Sequence, residues 1–329
     1  MFRIRFFAFF FFAVFCLLVF SQAQVYRLAE LNTEQIRALN PAKTVVIIPG
    51  GILEEHGPYL PSYSDGFFDE AYSRELANAI VSRPGWTVLM FPEIPLGVGG
   101  ANELGGKDVF PGSYNVRMST LRAVYMDLAS VLGEQGFHWI FVIFMHDGPE
   151  NHLALEQASD YFHDAYGGAM VHLYDLKPVH DCCDTAQKML TPEQLAENGF
   201  TVHAGIGEHS EMLFLRPELV SPAIRSAPSV TAKDFSDLVR IAHQNGWPGY
   251  WGAPRYASAA FGADSFRKIS EKMNGLALQI LDGIDWRKIP RFSNEQVAFI
   301  RSAGQPIRSE YNHKREQREV EWLRSRGLQ

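Results

Sequence analysis

Apolar and polar positions divide this chain into alternating strand-like and helix-like stretches. Thr44-Val-Val-Ile-Ile-Pro49 is β-branched and nearly unbroken, the pattern of a strand buried on both faces of a parallel sheet. Trp86-Thr-Val-Leu-Met-Phe91, His138-Trp-Ile-Phe-Val-Ile-Phe-Met145 and Ala169-Met-Val-His-Leu-Tyr174 read as further strands. Helical spacing over 69–81 and 119–135, the latter ended by Gly136, predicts helices laid against that sheet. Asn32 caps a first helix over 32–39 that Pro41 stops, and other helices are expected over 151–166, from Thr191-Pro-Glu193, over 211–220 and over 264–284. This alternation supports an α/β fold with helices packed on a mainly parallel sheet.

Ligands of open α/β sheets bind beyond the carboxyl ends of the strands. Glu54, His56 and Asp65 fall just past the 44–49 strand. In an extended segment Glu54 and His56 share one side, while Gly57, Pro58 and Pro61 let the chain turn back and deliver Asp65. Two carboxylates and an imidazole suit Zn²⁺, Mn²⁺ or Fe²⁺; an N-capping acid, a surface histidine and a loop aspartate would leave the same letters.

The start of the chain has a different character. Met1-Phe-Arg-Ile-Arg5 is basic, Phe6 to Phe20 is apolar, and Ser21-Gln-Ala23 is a small-residue site, the order of a secretory signal peptide cleaved after Ala23. The apolar run is shorter than the roughly 20 residues of a spanning helix. We therefore expect an exported protein, periplasmic or secreted, with no membrane partner after cleavage. The expected organisation is a signal over 1–23, a catalytic domain over 24–284 and a charged extension over 285–329. Hydrophobic residues at 47%, charged residues at 20% and a net charge of −7 suit a globular enzyme, and the missing basic footprint argues against nucleic acid. Cys16 leaves with the signal and Cys182 adjoins Cys183, so no disulfide framework is expected. The glycine-rich loop 99–106 lacks the Gly-Lys-Ser/Thr ending of a phosphate cradle.

Gly51-Ile-Leu-Glu-Glu-His-Gly-Pro-Tyr-Leu-Pro61, followed by Ser64-Asp65, resembles the opening motif of the creatininase (creatinine amidohydrolase) family. Phe110-Pro-Gly-Ser113 resembles that family's Phe-Pro-Gly-Thr, and His203-Ala-Gly-Ile-Gly-Glu208-His-Ser210 its His-Ala-Gly-Glu-x-Glu-Thr-Ser. Met145-His146-Asp147 stands at the strand end where relatives carry Asn-Gly-His-Gly-Gly-Asn, and 249–258 is similar to a further family segment. The resemblance, over roughly 25–284, implies a three-layer α/β/α sandwich. It also implies a two-metal centre of Zn, Mn or Fe in which Asp65 bridges, Glu54 and His146 complete one site, and His56 with Glu208 completes the other. His203 takes the place of the catalytic histidine, and because relatives assemble as hexamers the resemblance implies a homo-oligomer. Creatininase proper has a glutamate ligand two positions after the histidine matching His146, where Gly148 stands here, so Glu150 is the competing candidate for Glu208's place.

By position alone, Glu150 also reads as a solvated carboxylate at a helix start and His152 as a surface residue of the first turn. His180, Cys182 and Cys183 are candidates for the substrate wall, and Tyr250 and Trp251 for closing over a flat substrate or for oligomer contacts. The charged helix over 308–328 reads as a solvated tail or a subunit clasp. The expected activity is hydrolysis of a small-molecule substrate at a non-peptide C–N bond, a cyclic amide or formamide, by a metal-activated water. A peptide or sugar-derived substrate on the same scaffold is one alternative, and a binding protein that has lost a metal is the other.

Overall fold

The computed structural model describes residues 24–182, 185–302 and 310–328. Residues 1–23, read from the sequence as a signal peptide, and Cys183 lie outside the described residues. Within them a parallel sheet is formed by β1 (Val25–Arg27), β2 (Thr44–Pro49), β3 (Thr87–Met90), β4 (Trp139–Ile143) and β5 (Ala169–His172), in the order β1-β3-β2-β4-β5. β2 and β4 lie side by side at the centre, with Val45 opposite Trp139 and Pro49 opposite Ile143. Every residue of β2 is buried, as its unbroken apolar run requires.

The helices are α1 (Thr33–Arg37), α2 (Ser64–Val81), α3 (Met118–Glu134), α4 (Pro149–Tyr166), α5 (Lys177–His180), α6 (Thr185–Met189), α7 (Pro192–Asn198), α8 (Ile206–Leu215), α9 (Phe235–Ala242), α10 (Ala259–Leu281), α11 (Phe292–Ser302) and α12 (Glu310–Ser325). Alternation along the strands sorts them into two layers. Val45, Ile47, Phe141 and Ile143 face one way and pack with Tyr72, Leu76 and Ile80 of α2 and Met273, Ala277 and Ile280 of α10. Val46, Ile48, Ile140 and Val142 face the other way, against Leu121 and Tyr125 of α3 and Leu155 and Phe162 of α4. The result is the expected three-layer sandwich.

Several local expectations need correction. α2 begins at Ser64 rather than at 69, so Asp65 belongs to a helix's first turn and is held by the same backbone as the core residues Tyr72 and Leu76. α8 runs from Ile206 to Leu215, earlier than 211–220, because Pro217 cannot continue a helix. α10 starts at Ala259, where the Ser258 hydroxyl accepts a bond from the Phe261 amide. Tyr250 and Trp251 are fully buried: the Tyr250 hydroxyl donates to Pro228 O and the Trp251 indole to Leu238 O, which makes them packing residues rather than a substrate lid.

Residues 286–302 pack against the domain, whereas most of α12, within the stretch expected as a solvated tail or subunit clasp, is exposed. Trp286, Val297 and Ile300 are buried, and Arg291 pairs with Glu156 of α4. Further on, Glu316 and Glu319 of α12 pair with Arg117 beside α3. No helix among the described residues is long and apolar enough to cross a membrane.

Candidate metal centre

The carboxyl ends of β2 and β4 deliver Glu54, His56 and His146 into one buried space, and the first turns of α2 and α8 add Asp65 and Glu208. Two donor groups that share Asp65 result, and Glu54 and His56 also converge with His203. In the first, His146 Nδ1 lies 2.9 Å from Glu54 Oε2 and 3.6 Å from Asp65 Oδ2. In the second, His56 Nε2 lies 3.4 Å from Asp65 Oδ1 and 3.8 Å from Glu208 Oε1. Asp65 therefore turns one oxygen to each group. Ligand-type atoms within each group lie within 4.8 Å of one another, the convergence a metal site requires.

The far side of each imidazole fixes its tautomer. His56 Nδ1 faces Glu54 O at 3.0 Å and His146 Nε2 faces Val98 O at 3.0 Å. A carbonyl oxygen only accepts, so both of these nitrogens carry a proton, and His56 Nε2 and His146 Nδ1 are the atoms that point into the space between the acids. Metal-ligating histidines are oriented by the same kind of outer bond. Asn151 supports His146 at one remove, because its Oδ1 accepts from the Val98 amide at 3.3 Å. The metal reading fits the donors. Glu54 Oε2, His56 Nε2 and Asp65 Oδ2 are buried atoms whose near polar neighbours are the acids and imidazoles of the same two groups, an arrangement that a cation would stabilise.

Electrostatics in the metal-free protein agree. Burial would raise the Glu54 carboxyl, but the His203, His146 and His56 imidazoles outweigh it and hold the group well below the usual range. Burial likewise opposes charge on His146, yet Glu54 and Asp65 push it up to about 10. Glu208 is held down by His56 and His203 against its own burial. For Asp65 burial prevails and the carboxyl is raised. Protons thus occupy places that a divalent ion would contest.

His203 stands at the rim of both groups. Its Nε2 donates to Glu55 O at 2.6 Å, leaving Nδ1 3.7 Å from Glu54 Oε1, and its ring centroid is 4.4 Å from that of His56. Next to it Ala204 takes the left-handed conformation at φ 47°, and its amide donates to Glu208 Oε2. This is a strained state for a residue with a Cβ, held where it aims the ligand candidate. The glycine-rich loop binds an acid of the protein itself, since the Ala101 amide donates to Glu54 Oε1 at 2.5 Å.

Glu150 and Glu208 are separated plainly. Glu150 is buried, not solvated, but it lines a small cavity with Arg117, Met118, Asn312 and Glu316, on the α12 side and outside both donor groups. At Gly148 a Cβ would come 2.5 Å from His146 Nε2 and 2.5 Å from Val98 O, so this loop leaves no room for a side chain there. His152 is wholly buried, against the surface expectation, and His180 stacks on Phe292, while Glu54, His56, Asp65, His146, Glu208 and His203 are all brought together.

Three residues beside the centre were not singled out from the sequence. Glu55 accepts from Gly57 N at 3.0 Å and sits so close to Gly249 that a Cβ there would meet its Oε2 at 2.0 Å. Asp69 accepts from Met145 N at 2.7 Å, fixing the residue before His146, and burial with the nearby Asp65 charge raises its carboxyl well above the ordinary value. Ser113, from the Phe-Pro-Gly-Ser motif, accepts from Glu55 N at 3.1 Å. The doubled acid Glu54-Glu55 was the available signal for the first; Asp69 reads as an ordinary helix acid.

Residues 29–276 match the family model Creatininase, described as creatinine amidohydrolase. Among solved structures, a manganese form of creatininase and a Zn-Zn type of a mutant creatininase each align at 20% identity with a TM-score of 0.59, covering 78% of this chain and 98% of theirs. A mutant creatininase complexed with creatine aligns over the same shares at 20% identity with a TM-score of 0.57. No curated protein sequence matches significantly.

Proposed function

This chain belongs to the creatininase family, and from that premise we propose that it is an exported, two-metal amidohydrolase that opens a non-peptide C–N bond, a cyclic amide or a formamide. The observation that carries the reading is Asp65, whose two oxygens face two different donor groups. Glu54 and His146 would hold one ion, His56 and Glu208 the other, and Asp65 both. Manganese and zinc are the ions named for the similar structures, and creatine is the small molecule named for one of them.

Bound divalent ions supply Lewis acidity that brings water toward ionisation near neutral pH and stabilises negative charge developing on a carbonyl oxygen. The protein's own residues do the rest. His203 keeps its Nε2 proton on Glu55 O, so Nδ1 is the atom that takes up a proton and delivers it to the leaving nitrogen. Glu54, fixed by Ala101 N and kept ionised by its histidine neighbours, holds negative charge on that side of the path. Burial of Glu54 and His203 strengthens each of these interactions.

The test is a substrate panel for the mature protein reconstituted with Zn²⁺ or Mn²⁺. Release of amine and carboxylate from a lactam or formamide, with short peptides left intact, is the expected result. Peptide cleavage, or inertness toward the panel with two ions bound, would reject the proposal. Export rests on the basic, apolar and small-residue order of the first 23 residues; the recovered mature chain should begin at Gln24. Oligomeric assembly, expected from the family resemblance, is open to sedimentation measurements on the same sample.

A further inference from the structure

A second convergence of donors lies at the carboxyl ends of β4 and β5. His152 of α4, His172 at the end of β5 and Asp175 just beyond it are all buried, with ligand-type atoms within 4.8 Å of one another. None belongs to the donor groups around Asp65.

His172 Nε2 faces Phe144 O at 2.8 Å, and since a carbonyl only accepts, this nitrogen carries the proton and Nδ1 the lone pair. His152 Nε2 faces the Asp147 carboxylate, 3.3 Å from Oδ1, and neither atom has another partner among the described residues. An acid there favours the proton on Nε2, which leaves the His152 Nδ1 lone pair on the opposite side. That atom lies 3.4 Å from His172 Nδ1 and 3.5 Å from Asp175 Oδ1. Two nitrogen lone pairs and a carboxylate oxygen directed at one another repel unless a positive charge sits between them.

The spacing suits an ion. Tetrahedral zinc with bonds of about 2.0–2.1 Å separates neighbouring ligand atoms by roughly 3.3–3.4 Å. An imidazole backed by a carbonyl and another backed by a carboxylate have the outer bonds that ligating histidines use. We propose that His152, His172 and Asp175 bind a divalent transition-metal ion of the zinc class, separate from the Asp65 centre.

The surroundings fit a structural ion. Asp175 is oriented by Ser293, accepting from its amide at 2.9 Å and its hydroxyl at 3.0 Å. Gln296 donates to Asp147 O at 2.7 Å, and Phe292 stacks on His180, whose Nε2 lies 3.4 Å from Asp147 Oδ2. The ion would tie α4, β5 and α11 together and steady Asp147, the residue after His146. The rival is a proton alone, carried by a doubly protonated His152 between Asp147 and Asp175.

Anomalous diffraction from wild-type crystals grown with Co²⁺ decides between them without any variant. A peak bonded to His152 Nδ1, His172 Nδ1 and an Asp175 oxygen is expected; its absence, with cobalt present at the Asp65 centre or not, overturns the proposal. In solution, His172→Gln and the near-isosteric Asp175→Asn should each hold one ion fewer per chain than wild type, while Asp65→Ala keeps the ion at this site. Equal ion content in wild type and both folded variants would also overturn it. Hydrolase assays are not needed for either arm, so failure here and failure of the amidohydrolase reading are told apart.

Discussion

The two histidine–carboxylate clusters stand at neighbouring strand ends, yet they are built in opposite ways. The Asp65 cluster takes three of its donors, Glu54, His56 and Asp65, from one short stretch after β2. The His172 cluster draws on α4, the end of β5 and the loop after it, and Ser293 of the C-terminal extension orients its acid. Between them the chain deals residues alternately. His146 serves the first cluster and Asp147 the second; Asn151 supports the first through Val98, and His152 belongs to the second. Adjacent residues thus serve different sites because neighbours in an extended loop or a helix turn point in different directions.

The largest effect should come from breaking the first cluster at its shared residue. Asp65→Ala is expected to release both ions of that centre and bring hydrolysis to background, as read by metal analysis and by the substrate panel. An unchanged ion count at that centre would remove Asp65 from the bridging position. Next in size, Glu208→Ala should surrender one ion to a moderate chelator. Glu150→Ala should keep both of these ions and lower stability alone, visible as a lower Tm, because Glu150 is a buried carboxylate outside both donor groups. The reverse order under chelator titration would make Glu150 the ligand.

A smaller effect sharpens the separation of the clusters. Asn151→Ala removes the support behind Val98 and His146 without touching a donor, and should weaken metal binding at the first cluster by about 10–100-fold. Cobalt competition should show that loss while the His152 side is unaltered; equal weakening of both would show that they are one coupled unit. The smallest signal is protonic. His146 is pushed up to about 10 in the metal-free protein, so at pH 7 it carries a proton that a metal must displace. Calorimetry in buffers of different ionisation enthalpy should register proton release on metal uptake, and affinity should fall as the pH is lowered.

The same contrast explains what could be read from the chain alone. β2 and β4 were legible because both faces of each are buried, which leaves an unbroken apolar run. β1 was missed because Val25-Tyr26-Arg27 is a three-residue strand on one edge, with Val25 and Arg27 exposed. The six residues of the Asp65 centre and its rim carried local motifs. Glu150 and His152 carried none that marked them as buried: the first turn of a helix is ordinarily wet, and only the return of α11 and α12 across it excludes the water. Tyr250 and Trp251 were misread in the other direction, since an aromatic pair beside glycines looks like a binding face until α9 is seen to cover it.

The placement of Asp65 in the first turn of α2 has one more consequence. Glu208 occupies the first turn of α8, and both helices run from the metal centre into the layer shared with α10. An ion held by both acids would join two helix starts that are far apart along the chain, so neither could fray without releasing it. Amide hydrogen exchange in the opening turns of α2 and α8 should then slow together on metal addition, as one cooperative unit, while the outer turns of α12 keep their own rate.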